Sequence, residues 1–154
     1  VPLFSGLIAK REFIKLDYIF NKTLKQSTLI NFLGLTLLLT AIFFIRFLNI
    51  EIGGNLLGDR FLNYLPMLFM MTAILLNHVT GSLATYLRCH KKEPFLVISI
   101  AGGILCSLST VILSKYFGVI GVTLGYCIIT VLLFPWGFYI FKTKKIKWHK
   151  NTSE

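Results

Sequence analysis

Four apolar stretches, at 29–49, 62–86, 95–113 and 119–141, dominate the chain. Each is close to the roughly 20 residues a helix needs to cross a hydrocarbon core about 30 Å thick. Barrel strands need only about 9–11 residues and alternate in polarity, which these stretches do not. The basic residues around them are sorted. Lys10, Arg11, Lys15, Lys22 and Lys25 precede the first stretch, Arg88, Lys91 and Lys92 follow the second, and Lys142, Lys144, Lys145, Lys147 and Lys150 follow the fourth. Those are thirteen of the sixteen Lys and Arg; Arg46, Arg60 and Lys115 lie in the other two connections. Because a membrane-threading chain retains Lys and Arg on its cytoplasmic face, the alternation predicts four spans with both termini cytoplasmic.

The expected fold is therefore an all-α integral membrane protein: an amphipathic helix at the interface, then four transmembrane helices. Three regions follow: residues 1–28 as a cytoplasmic linker helix, 29–141 as the spans, and 142–154 as a basic cytoplasmic tail. In the first region Phe13, Leu16, Ile19 and Phe20 recur at helical spacing among Lys10, Arg11, Lys15, Asp17, Lys22 and Lys25, the pattern of a helix lying in the headgroup layer. Arg46 is placed to snorkel toward the outer headgroups. Gly53, Gly54, Asn55, Gly58 and Asp59 mark residues 50–60 as a turn-rich external loop. Pro66 lies about one turn into the second span, where a kink is tolerated, and Pro135 and Gly137 sit in the last third of the fourth, placed to bend it. Residues 114–118 form a tight outer connection, and Trp136, Tyr139 and Trp148 suit an inner aromatic belt.

Composition agrees with a membrane chain. It is 55% hydrophobic and 14% charged, with a mean hydropathy of +0.75, too apolar for an ordinary soluble domain. A formal net charge of +10 would suit nucleic acid. Here the charge flanks spans instead of covering one soluble face, so the expected partner is an anionic inner leaflet and not a nucleic acid. Cys89, Cys106 and Cys127 have no metal or redox spacing and read as small apolar packers. The chain opens on Val1-Pro2-Leu3-Phe4 with no initiator Met and no basic n-region of a signal peptide. An alternative start codon or a piece of a longer chain would each explain this.

Little in the sequence suggests catalysis. His78, His90 and His149 lack a second ligand at metal spacing, apart from the loop neighbours of His90, and there is neither a Gly-rich phosphate loop nor a nucleophile elbow. No enzyme activity, metal or cofactor is expected. Glu12, Asp17, Glu51, Asp59, Glu93 and Glu154 all lie outside the apolar stretches, so no span carries an ion-coupling carboxylate. The polar candidates within a span are Asn77 and His78, followed by Thr80 and Ser82. They either line a watery cavity or hydrogen-bond between helices. Gly102, Gly103, Gly121 and Gly125 allow close helix approach, the last two as a Gly-xxx-Gly pair.

Two segments carry a family resemblance. Ala84-Thr-Tyr-Leu-Arg88-Cys-His-Lys-Lys-Glu-Pro94-Phe is a span end followed by a basic inner turn. Lys115-Tyr-Phe-Gly118-Val-Ile-Gly121-Val-Thr-Leu-Gly125-Tyr is a tight hairpin whose glycines open the next span. Together they resemble the final helices of polysaccharide exporters, the O-antigen and teichoic-type flippases of the multidrug/oligosaccharidyl-lipid/polysaccharide superfamily. The resemblance covers the linker and last four helices of a fold with two six-helix lobes. It implies alternating access in the inner (plasma) membrane and a polyprenyl-pyrophosphate-linked oligosaccharide as substrate. A remaining lobe would then be the partner, with Asn77, His78 and Arg88 at the cavity. Arg88 is placed to reach a phosphate at the inner mouth, or to serve as a topology anchor with no substrate contact. About two-thirds of the family's length is missing. Two other readings stand beside it: a complete small four-helix transporter acting as an oligomer, and a fragment of a membrane glycosyltransferase or polymerase. The former departs from small multidrug exporters in lacking a membrane-embedded Glu.

Overall fold

The computed structural model describes residues 2–90 and 92–150, so Val1, Lys91 of the basic turn and residues 151–154 of the tail lie outside the described residues, as do the side chains of Pro2, His149 and Lys150. Helix α1 (Pro2–Ala9) leads through a turn at Arg11 into α2 (Phe13–Phe47). A two-stranded antiparallel hairpin, β1 (Glu51–Ile52) and β2 (Asn55–Leu56), follows with Glu51 opposite Leu56. Its turn residues Gly53 and Gly54 both take positive φ. A 3-10 turn (Leu57–Arg60) then leads to α3 (Tyr64–Arg88) and α4 (Leu96–Lys150). Helices α2, α3 and α4 are each long and apolar enough to cross a membrane.

Helix α4 is a hairpin of two helices. Gly118 sits at φ 55° and ψ −137°, outside helical space and strained for any residue with a Cβ. The halves on either side, residues 96–117 (α4a) and 119–150 (α4b), fold back on each other. A Cβ added at Gly121 would strike the Leu113 carbonyl oxygen, and one at Gly125 would strike Ser109 Oγ. Gly102 lies 3.1 Å from Leu133 Cδ1 by the same construction, so contacts on opposite sides of Gly118 pair at growing separation. The five-residue connection expected at 114–118 shrinks to a single residue, because Ser114, Lys115, Tyr116 and Phe117 contain no breaker and stay helical. Gly103 does not serve packing as expected: it is exposed, with nothing within 4 Å of a Cβ placed there.

The separate interfacial helix expected over 1–28 is not formed. Residues 21–28 hold no Gly or Pro, and α2 runs through them unbroken for 35 residues, about 52 Å at 1.5 Å per residue. Its predicted apolar face is turned toward protein. Leu16 and Phe20 are buried with Leu83, Tyr86, Leu87, Phe95 and Phe141, and Phe13 and Ile19 pack against them. This is the main core, and it lies at the end of the bundle where the basic residues gather. Phe20 meets Tyr86 at 4.7 Å between ring centroids and Phe141 at 5.9 Å. Phe4 of α1 adds an edge contact to Phe20 at 6.2 Å.

A second, smaller cluster of Ile42, Met67 and Met71 joins α2 to α3 at the loop end. There Arg46 donates from Nε to the Gly58 carbonyl at 3.2 Å and from Nη2 to the Phe61 and Leu62 carbonyls at 3.0 Å each. Its guanidinium also lies 4.6 Å from the centroid of the Tyr64 ring. Arg46 thus satisfies three loop carbonyls that have no strand partner, a more specific role than the expected snorkelling. Gly58 is required against it, since a Cβ would come within 2.7 Å of Arg46 Cγ. Pro66 is tolerated because α3 starts at Tyr64, and in the first turn proline removes no intrahelical hydrogen bond.

Two substitutions test this scaffold. Gly125→Leu overpacks the hairpin against Ser109 and Leu113 and is expected to cost about 1–3 kcal/mol, whereas Gly103→Leu is expected to leave stability within about 1 kcal/mol. Thermal unfolding of the detergent-solubilised chain separates them, and equal losses would contradict the hairpin packing.

Candidate functional site

Helix α3 presents a polar stripe where its neighbours spread apart. Asn77, Gly81 and Arg88 recur at spacings of four and seven residues, so they share one face over about 16 Å of helix. Two clefts open along that face. One, of about 510 Å³, lies between α1–α2 and α3 and is lined by Phe4, Phe20, Ser27, Asn77, His78 and Arg88 among others. The other, of about 340 Å³, lies between α3 and the α4 hairpin and shares Asn77, Gly81 and Arg88 while adding Ser99, Tyr126 and Thr130. Of the three residues singled out from the sequence, Asn77 and Arg88 border both clefts and His78 borders the larger one. Gly81 keeps the floor low: a Cβ placed there meets nothing within 4 Å, so glycine is not needed for helix contact at this point.

Each polar group in the stripe has a defined partner. Asn77 Nδ2 donates to the Tyr126 hydroxyl at 2.7 Å, tying α3 to α4b across the smaller cleft. His78 Nε2 lies 3.1 Å from Ser27 Oγ, tying α3 to α2 across the larger one. Ser82 and Thr80 return their hydroxyls to the carbonyls of His78 and Leu76 and so add no bond between helices. The two readings of Asn77 and His78 coexist in one geometry: each bonds between helices, and each remains on a cleft wall. Neither Tyr126 nor Ser27 stood out in the sequence. Tyr126 lies 49 residues from Asn77, and only the antiparallel register of the Gly118 hairpin brings it close.

Arg88 stands at the last turn of α3, exposed, with its Nε 3.7 Å from Glu93 Oε1 across the short α3–α4 connection. It is a cation at the mouth of both clefts whose ion pair, being solvent-exposed, is worth at most about 1 kcal/mol. An exchange of Glu93 for a phosphate oxygen is energetically open on that scale. Just below it the third helix is fixed from the other side. Asp17 of α2 accepts the Tyr86 hydroxyl at 2.6 Å on Oδ1 and the Lys145 ammonium at 2.8 Å on Oδ2. Sequence reading placed Asp17 among the polar residues of an interfacial helix and gave it no partner. Its signal was position: it shares a helical face with Phe13, Phe20 and Leu24, all turned toward the core.

Among the described residues no group of three or more His, Cys, Asp or Glu is arranged to hold a metal ion. No family model, curated protein or solved structure matches the chain. What the fold and site define is an all-α chain with three helices able to cross a membrane, carrying a polar stripe and two open clefts along one of them.

The bond between Asn77 and Tyr126 is testable by a double-mutant cycle. Asn77→Leu and Tyr126→Phe are expected to show a coupling of about 0.5–1.5 kcal/mol in unfolding free energy, and strictly additive effects would remove the link between α3 and α4b.

Proposed function

We propose that the chain is the C-terminal part of a flippase that moves a lipid-linked oligosaccharide across the inner membrane by alternating access. The observation that carries this reading is the polar stripe of α3, which runs from Arg88 at the basic end to Asn77 within the span, along clefts open on one side. A polar surface at that depth is costly against hydrocarbon and favourable against a polar substrate or a watery cavity. A lipid-linked sugar meets that requirement: its isoprenoid tail stays among lipids while the glycan follows the stripe, with a diphosphate near Arg88.

The Gly118 break supports four crossings. Its two halves have 22 and 32 residues, about 33 and 48 Å, each enough for a hydrocarbon core of about 30 Å. Both chain ends would then lie on the cytoplasmic side with the basic cluster, and the β-hairpin on the other. The clefts are open and shallow, so a second lobe is needed to enclose a substrate, and this chain alone is expected to be inactive in transport.

A vesicle assay with a fluorescent polyprenyl-diphosphate oligosaccharide tests the proposal. In the lobe-complete transporter, Arg88→Ala and Asn77→Ala are expected to lower the transport rate about tenfold, taking about 1.4 kcal/mol as the loss of one hydrogen-bonding contact to substrate. Wild-type rates in both variants would sink the cavity assignment. Transport by the 154-residue chain alone would instead favour a complete four-helix transporter acting as an oligomer.

A further inference from the structure

Helix α2 is held at its two ends by very different means, and between them its one side-chain hydrogen bond to α3 among the described residues is that of Ser27 with His78. At the loop end Arg46 binds three carbonyls, and Ile42 is buried against Met67 and Met71. At the basic end one carboxylate, Asp17, joins it to α3 and α4b through Tyr86 and Lys145. Phe20 and Leu16 supply the packing beneath that carboxylate. The stretch between carries Gly34, exposed and with nothing within 4 Å of an added Cβ, so no close helix contact accounts for a glycine there. Thr36 and Thr40 follow, each returning its hydroxyl to the carbonyl four residues earlier, at 2.9 and 2.8 Å. Glycine within a helix weakens it relative to alanine, and threonine back-bonding favours bending. The soft point of α2 thus lies between its two anchors.

The basic half of α2 is also a wall of the larger cleft. Phe20, Thr23, Leu24 and Ser27, with Phe4 of α1 packed on Phe20, face His78, Thr85 and Arg88 of α3 across it. We propose that α1 and the basic half of α2 form a strap over this cleft, latched by Asp17 to Tyr86 and Lys145 and pivoting near Gly34. With the latch made, Phe20 stays seated on Tyr86 and Phe141 and the cleft keeps its narrow mouth. With the latch broken, the strap swings as a unit and opens the cleft at Thr85. Asp17 suits this task because it is three-quarters buried as a side chain, at 28% exposure, so its bonds are stronger than those of the surface pairs Lys15–Glu12 and Arg88–Glu93. A single carboxylate taking two bonds from two helices makes release concerted: losing Asp17 removes both of these ties at once, leaving the Phe20 packing and the Ser27–His78 bond nearer the pivot. The strap does not depend on the transport reading, since it needs only the cleft and the two anchors.

The test uses the full chain in membranes with Cys89, Cys106 and Cys127 replaced by alanine and Thr85→Cys as the reporter. The rate of its modification by a charged maleimide reads the opening of the cleft. Asp17→Ala is expected to raise that rate about tenfold, and Tyr86→Phe, which keeps the ion pair, to raise it less. Exchanging the pair, Asp17→Lys with Lys145→Asp, should restore most of the protection. Gly34→Ala, which stiffens the pivot without touching the latch, should slow modification up to about fivefold. An unchanged rate in both Asp17→Ala and Tyr86→Phe overturns the latch. An exchanged pair as reactive as Asp17→Ala does so too, by showing general unfolding and not a broken pair. A Gly34→Ala rate equal to or above the parent overturns the pivot.

Discussion

Helices surrounded by lipid gain nothing from hiding apolar side chains, because hydrocarbon is as apolar as leucine. Whatever holds such helices together has to be close backbone approach, hydrogen bonding or charge, and this chain distributes those three unevenly along its length. Close approach is concentrated at the Gly118 hairpin, where Gly121 and Gly125 leave room for Leu113 and Ser109. Charge is concentrated at the two ends, with Arg46 on the loop carbonyls and Asp17 between Tyr86 and Lys145. The middle receives single hydrogen bonds, Asn77 to Tyr126 and His78 with Ser27. Only 6–17% of the most apolar windows of the long helices is buried, so a bundle fastened at its ends and loose at its waist is what the constraint produces.

The same constraint explains why the main core lies where the basic residues are. Clustered Lys and Arg are stable only where water can solvate them, and next to water Leu16, Phe20, Leu83, Leu87 and Phe141 gain by packing. Crowding many cations at one end would oppose that packing. Glu12, Asp17 and Glu93 each pair with one of the bases there, and of these Asp17 alone is mostly removed from solvent. Its two bonds join the three helices whose side chains form the core, so the ionic and aromatic contacts stabilise one junction together.

Much of this was legible in sequence. Runs of about 20 apolar residues and the partition of Lys and Arg gave helices, their order and the basic end, since both follow from local composition. The hairpin glycines were legible because close approach requires small residues at Gly121 and Gly125; Gly103, of the same type, faces away from any neighbour. The periodicity of the leading segment marks an apolar face, and that face packs on protein at Leu16 and Phe20. An apolar helix face seeks burial, but periodicity does not say whether lipid or protein provides it. Nothing local in residues 21–28 marks an end, so only tertiary packing reveals that α2 continues through them. The partners of Asn77, His78 and Asp17 are 49, 51 and 69 residues away, beyond any local rule.

Those three long-range bonds share a geometry with consequences for motion. Each joins α3 to a neighbour: Asn77 to α4b, His78 to α2, and Tyr86 to α2 at the residue that also holds α4b. Helix α3 is therefore the common member of these bonds, and the elements on its two sides also meet directly at Asp17 and at Phe20 on Phe141. Movement of α2 away from α3 widens the larger cleft and leaves the smaller one, bounded by α3 and the α4 hairpin, unchanged. One wall of the stripe is thus held by a few polar bonds and one aromatic cluster, and the other belongs to a hairpin closed by glycine packing within itself. The polar stripe of α3 lies between the two.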